Sequence, residues 1–285
     1  MNAAPQLSIG QCATLACLLE ATAPKVGNVH RGADFEDLTF TDFAVSAAAI
    51  APAMEAAVQT GVGPAVLAAI RATRALVPTN TNLGMALLIA PLAAVPREQP
   101  LDSGIAKVLG TMTPDDSRCV YEAIRIAGAG GLGKVEEMDI AAPPPADLLA
   151  AMRAAAERDL VARQYVEDFR LVLGEIVSAL IAGRERGWSL SETIVHTHLE
   201  LIAQHADSLI LRKCGPEMAA RVTALAKSVL AVGSPGEDDY HAALADFDFF
   251  LRSDGHRRNP GTTADLLAAG LFAALRDSLL PPPWR

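Results

Sequence analysis

Aromatic side chains are scarce, at 5% of the 285 residues, so the 51% hydrophobic content must come from small and aliphatic residues packing helix on helix. With only 20% charged residues, the chain has too much apolar surface to stay disordered. Basic charge is in deficit: 24 Lys and Arg stand against 33 Asp and Glu, a formal net charge of -9. That balance excludes a protein that tracks nucleic-acid phosphates, whose affinity comes from clustered cations releasing counterions. It still leaves room for a local basic pocket. The four cysteines, Cys12, Cys17, Cys119 and Cys214, include no CxxC pair and no Cys/His spacing suited to zinc. They read as thiols in a reducing compartment.

Long hydrophobic runs are also missing. The longest uncharged apolar stretches, 44–54 and 83–95, fall short of the roughly 18 residues that a bilayer span needs. The N-terminal segment lacks a basic start, and its apolar run carries Gln11 and Thr14, so a secretory signal is not expected. A cytoplasmic protein without membrane or nucleic-acid partners is the expectation.

No sustained Val/Ile/Thr alternation marks a buried sheet, whereas apolar residues recur at helical spacing almost throughout. The predicted fold is all-α, a single compact multi-helix domain over 1–285 with polar loops converging on a nucleotide or phosphate pocket. Helices are predicted over 8–21, 40–59, 63–76, 83–95, 114–128, 146–157, 158–184, 190–205, 215–232, 237–252 and 263–278. Thr113 ahead of Pro114, Asp115 and Asp116 supplies a capping hydroxyl, a first-turn proline and acids at a positive helix end. Ser189 and Glu192 have capping-box spacing. An Ala-rich helix face can bury in its own fold or against a second copy, so a homo-oligomer stays open.

What the sequence has in excess is polar loops: 22–39, 78–84 ("PTNTNLG"), 129–139 ("AGGLGKVEEMD") and 253–263 ("SDGHRRNPGTT"). In the first, Lys25 and Arg31 can bind phosphate, Arg as a planar fork and Lys as a point charge. Gly27 and Gly32 permit close backbone approach, and Asp34, Glu36 and Asp37 can hold a hard cation. A solvated loop with capping acids explains the same residues equally well. Asn80, Thr81 and Asn82 precede an apolar helix, whose unpaired amides and positive end welcome anions. Thr262, Thr263 and Asp265 repeat that pattern, with ordinary capping as the alternative. In "HADSLILRKCG" at 205–215, Ser208 and Arg212 share a helical face beside Asp207, with a surface ion pair as the alternative. His196 and Glu200 in "HTHLE" share a face while His198 points away, which is poor spacing for one metal.

In this order, "LLEATAPKVGNVHR" (18–31), "TNTNLGMALLIAPLA" (79–93), the glycine-then-acid loop at 130–139, "HADSLILRKCG" (205–215) and "NPGTTADLLAAGLF" (259–272) resemble the triphosphoribosyl-dephospho-CoA synthase family over most of the chain. The resemblance implies an all-α enzyme in which ATP loses adenine while its ribose C1 joins the 2′-hydroxyl of 3′-dephospho-CoA. The product is the precursor of the prosthetic group of citrate lyase or malonate decarboxylase carrier proteins. Magnesium is implied with the triphosphate. Breaking the N-glycosidic bond builds oxocarbenium character that carboxylates stabilise, while an acid protonates adenine and a base takes the acceptor's proton. On this resemblance Glu20, Asp34, Asp37 and Asp207 take base, cation-stabilising or metal roles, with Asp34, Glu36 and Asp37 as the set for magnesium. Lys25, Arg31 and Arg212 hold phosphates; Asn80, Asn82 and Thr263 orient ribose or phosphate. Asn28, His30, Thr81, Gly84, Thr262 and Asp265 complete the expected substrate contacts.

The sequence departs from the family at His30, where an Asp usually precedes the arginine, and at Asn82-Leu83, where a His-Lys pair is usual. The final loop likewise reads "NPGTTADLL" where a Gly-Ser precedes the Ala-Asp pair. These departures resemble a divergent branch associated with tetrahydromethanopterin, so a related phosphoribosyl or nucleotide-dependent step in making that cofactor is one alternative. A nucleotide-binding protein without catalysis is the other.

Overall fold

Ser8 and Gln11 form a capping box that starts α1 (Ile9–Thr22), and Thr39 with Asp42 does the same for α2 (Phe40–Ala49). The computed structural model describes residues 6–128 and 143–284, and within them the architecture is all-α, as the helical periodicity predicts. The loop at 129–139 and the start of the proline run at 141–145 lie outside the described residues. Capping boxes also stand where the sequence places them, Thr113 with Asp116 at α8 (Pro114–Ala127) and Ser189 with Glu192 at α12 (Leu190–Gln204).

The predicted helix 40–59 is divided into α2, α3 (Ala51–Glu55) and α4 (Ala57–Thr60). Pro52 lies at the start of α3, where it removes an amide and crowds the preceding turn. The predicted helix 158–184 is likewise divided, into α10 (Leu160–Val166), a π-helical segment at Leu171–Ile176, and α11 (Val177–Glu185). Between them Asp168 and Phe169 adopt φ of 48° and 59°, and the wholly buried Phe169 packs beside Tyr165 with ring centroids 5.6 Å apart. Core packing of one aromatic outweighs helix continuity there.

Two helices lie outside the predicted spans: α7 (Leu101–Gly110), which buries Leu101, Gly104, Ile105 and Leu109 at helical spacing that two glycines and the preceding Pro100 obscure, and the short α13 (Ser208–Cys214). The rest follow the predicted spans closely: α5 (Val62–Arg74), α6 (Leu83–Ala93), α9 (Leu148–Ala155), α14 (Pro216–Val232), α15 (Asp238–Arg252) and α16 (Gly261–Arg276). A short extended stretch, Ser253–His256, joins α15 to the last loop.

The organising element is α16. Apolar nearly all round, as a fully enclosed helix must be, it is buried from Leu266 to Arg276 and packs against α1, α6, α10, α11, α12, α13 and the π segment. Its buried end is fixed by Arg276, which donates to the carbonyls of Val95, Pro96 and Gln99 at 3.1, 2.7 and 3.1 Å. A second apolar cluster, including Ile202, Ile210, Val222, Tyr240 and Phe247, joins α12 to α15. No helix among the described residues is long and apolar enough to cross a membrane. Cys12, Cys17 and Cys119 are buried free thiols and Cys214 is half-buried.

Candidate active site

A cavity of about 730 Å³ opens where the C-terminal end of α1, the N-terminal ends of α6 and α16, and α13 meet. Its polar end carries Glu20, Asn28, Asp37, Asn80, Asn82, Arg212, Lys213, Thr262 and Asp265. Its other end is apolar, walled by Val120 and Ile124 of α8, Leu148 and Met152 of α9, and Val161 of α10. Two helix N-termini converge on the polar end. Their N-cap residues make no side-chain cap bond, and other side chains take part of the first turn instead: Asn80 Oδ1 accepts the Leu83 amide of α6 and Asp207 Oδ2 the Thr263 amide of α16.

Glu20 sits in the last turn of α1, 2% exposed, and lines this cavity. Five residues on, after the helix has stopped, Lys25 returns beneath it with Nζ 2.9 Å from Glu20 Oε1. Lys25 also donates to the Glu20 and Ala23 carbonyls and is wholly buried. Burial pushes the Glu20 carboxyl up, and the Lys25 ammonium opposes that shift. The return is held by Gly27, whose φ of +70° suits a residue without Cβ and whose added Cβ would meet Leu251 at 2.8 Å. Asp248 of α15 accepts the Gly27 amide at 2.7 Å and is gripped in turn by Arg252 Nε at 2.9 and 3.0 Å.

Asp265, at the start of the second turn of α16, opens half-buried onto the same cavity. Burial raises its carboxyl well above the ordinary range, reinforced by the negative charges of Glu20, Asp207 and Asp159, while the Met85 amide favours the ionised form. Gly84 is shaped to it: a Cβ there would lie 2.0 Å from Asp265 Oδ2. The glycine of "NTNLG" is therefore required by close approach and not by turn geometry.

The carboxamides around this pair differ in availability. Asn80 Oδ1 accepts the Leu83 amide at 3.2 Å, supporting the start of α6. Asn82 donates to Thr73 Oγ1 at 3.0 Å, yet its own Oδ1, buried at the cavity wall, has no partner among the described residues. Thr81 pairs with Ser46 at 2.5 Å, and Asn28 with His198 Nε2 at 3.1 Å. His198, wholly buried, is held well below the ordinary imidazole range by burial and then by Lys25. His196 faces Tyr240 at 3.0 Å and Glu200 at 3.6 Å, so the two histidines occupy separate surroundings. Arg212 pairs with Asp159 at 2.7 Å and leaves Nε without a partner. Beside it Lys213 lines the cavity, its ammonium pushed down by burial.

Several expected site residues have other duties. Asp207 is not a free carboxylate: Oδ1 caps α13 through the Leu209 and Ile210 amides at 2.8 and 3.0 Å, and Oδ2 accepts from the Thr263 amide and hydroxyl, both at 2.8 Å. Thr263 is occupied by the same bond and does not line the cavity. Lys25 is enclosed with Glu20, so it serves that carboxylate and not a phosphate. Asp34 Oδ1 accepts the Phe40 amide at 2.7 Å, helping to start α2. His30 accepts the Gly32 amide and, with the exposed Arg31 and Glu36, belongs to two successive tight turns marked by the bridges His30–Ala33 and Phe35–Leu38. None of these three lines the cavity. Of the three acids expected to form a cation site only Asp37 lines it, 3.5 Å from His256, and the described residues hold no group of three or more His, Cys, Asp or Glu poised for a metal. Sequence reasoning missed Lys213 and Asp159. Lys213 adjoins Arg212 in the same motif; Asp159 carries no local signal, because only the fold brings it to Arg212.

The profile of a family described as CitG, ATP:dephospho-CoA triphosphoribosyl transferase, matches residues 6–282. Among solved structures, the chain is similar to one from Archaeoglobus fulgidus provisionally described as a triphosphoribosyl-dephospho-CoA synthase. The TM-score is 0.61 and the identity 25%, over 84% of this chain and 99% of that one. No curated protein matches the chain.

Proposed function

The chain belongs to the ATP:dephospho-CoA triphosphoribosyl transferase family, and from that premise we propose that it moves the triphosphoribosyl group of ATP to the 2′-hydroxyl of 3′-dephospho-CoA with release of adenine. The observation that carries this reading is the meeting of the carboxyls of Glu20 and Asp265 with the cations of Arg212 and Lys213 in one cavity. Glycosyl transfer from a nucleoside triphosphate needs those parts: donors for phosphate oxygens, carboxylates at the ribose carbon, and a dry pocket that strengthens both.

In this reading Lys213 and Arg212, with Thr262 beside them on the cavity lining, take the triphosphate, since cations favour its anionic oxygens. Asn82 Oδ1, an acceptor without a donor among the described residues, suits a ribose hydroxyl. Magnesium bound to a triphosphate keeps most of its waters and needs only one or two carboxylates, so Asp37 at the rim suffices to hold it. There the ion would neutralise phosphate charge. The apolar wall of α8, α9 and α10 covers the remainder of the substrates.

Adenine release is the test. Protein incubated with ATP, magnesium and dephospho-CoA is expected to yield free adenine and a triphosphoribosylated acceptor of the corresponding mass. ATP that protects the protein against heat, with no adenine formed alongside any acceptor, would instead support the non-catalytic reading. Adenine formed only with a pterin-pathway acceptor would move the chain to the alternative pathway.

A further inference from the structure

The two carboxyl groups on this cavity are electrostatically unlike. Glu20 is braced by a single cation, the wholly buried Lys25 at 2.9 Å, and Lys25 is its one protein partner among the described residues. Among the described residues no ion pair joins Asp265 to a cation; the charges nearest in effect are the acids Glu20, Asp207 and Asp159, with the Met85 amide opposing them. Of those acids, Asp207 has both oxygens filled by amides and a hydroxyl, and Asp159 is paired with Arg212. When two carboxyls share a low-dielectric site and only one has a counter-ion, the proton rests on the other. Gly84 leaves the room that the Asp265 carboxyl occupies, since a Cβ there would lie 2.0 Å from Oδ2 and push the group aside.

We infer that Asp265 is the general acid and Glu20 the general base of the transfer, with Lys25 and Gly84 as their positioning residues; this rests on the proposed triphosphoribosyl transfer. The C1′–N bond breaks and its electron pair goes to the purine, which takes the proton of the Asp265 carboxyl and leaves as neutral adenine. The acceptor oxygen forms the new bond to C1′ and its proton passes to Glu20. The pair ends with Asp265 ionised and Glu20 protonated, and one proton exchange between them restores the start. Neither step requires a co-reactant beyond the two substrates.

The leaving group separates this assignment from a structural role. A pyridinium ribonucleoside 5′-triphosphate departs as a neutral pyridine and takes no proton. Asp265→Asn is expected to slow adenine release from ATP by about 10²–10⁴-fold but pyridine release by less than about tenfold. Glu20→Gln should slow both, because the acceptor must be deprotonated in either case. The pH profile gives a second readout: turnover of ATP should fall as pH rises through the Asp265 ionisation, and Asp265→Asn should lack that limb. Equal losses on the two substrates, or, where the pyridinium compound is not turned over at all, an alkaline limb that survives in Asp265→Asn, would overturn the assignment while leaving the transferase reading intact. Wild-type protein that releases no adenine from ATP would overturn both.

Discussion

Lys25 shows how one side chain can be essential to a site without touching a ligand. Its removal leaves the buried Glu20 without its counter-ion, and breaking a buried pair by deleting one partner typically costs about 3–5 kcal/mol. Lys25→Met is therefore expected to lose about that much stability in urea unfolding, and to leave Glu20 protonated and inactive as a base. The double variant Glu20→Gln/Lys25→Met should be more stable than Lys25→Met alone, since removing both charges removes the desolvation cost. A double variant no better than the single one would mean that Lys25 acts mainly through the Glu20 and Ala23 carbonyls. The sequence announces both residues through the density of polar groups around them, but not their relation. Nothing in "EATAPK" says that the chain doubles back so that the lysine lies under the glutamate.

At the scale of elements, local chemistry was legible wherever a helix end is decided by its own residues. Thr113, Ser189 and the prolines at 114 and 216 cap or start helices as their types dictate. It was not legible where tertiary packing decides. The break at Asp168 and Phe169 follows from enclosing one aromatic ring, and Asp207 looks like any N-cap until its second oxygen is found on Thr263 of a different helix. That carboxylate joins the starts of α13 and α16, and so holds the cavity-lining Arg212 and Lys213 in register with Asp265. Asp207→Ala should lose a cap and leave two buried donors unmet, about 2–4 kcal/mol in sum, with KM for ATP rising more than kcat falls. Gly84→Ala is expected to do the reverse: near-normal ATP protection in a thermal melt, with kcat lowered at least tenfold because Asp265 is pushed aside.

For the whole molecule, Glu20 and Asp265 link folding to pH. Both carboxyls are raised in the folded state by burial, so the folded protein holds protons that the unfolded chain gives up above about pH 4. Their contribution to stability is complete below those ordinary values and is lost as pH rises through the raised ones. Denaturant unfolding from pH 4.5 to 8 should therefore show a falling component that Asp265→Asn flattens. ATP at about 100 times its Kd should add about 2.7 kcal/mol, enough to register clearly as a shift in Tm. The all-α architecture and most helix spans could be foreseen at this scale because periodicity repeats along the chain, whereas the divisions of 40–59 and 158–184 could not. The cavity itself could not, because its polar groups come from four distant segments and its apolar wall from three helices whose sequences look like any other core.

The burial of α16 has a dynamic consequence. Asp265 is mounted on the element that packs against more of the molecule than any other, and Arg276 pins that element's far end to the chain after α6. Backbone amides from Leu266 to Leu275 should exchange with deuterium only through global opening, with the same denaturant sensitivity as unfolding itself. Helix α9, which forms the apolar wall and packs principally on α10 and α8, has no such anchorage and should exchange much sooner. Substrate entry and product exit would then be the motion of one wall past a stationary one: the carboxyl pair keeps its aim through every turnover, and the apolar side yields.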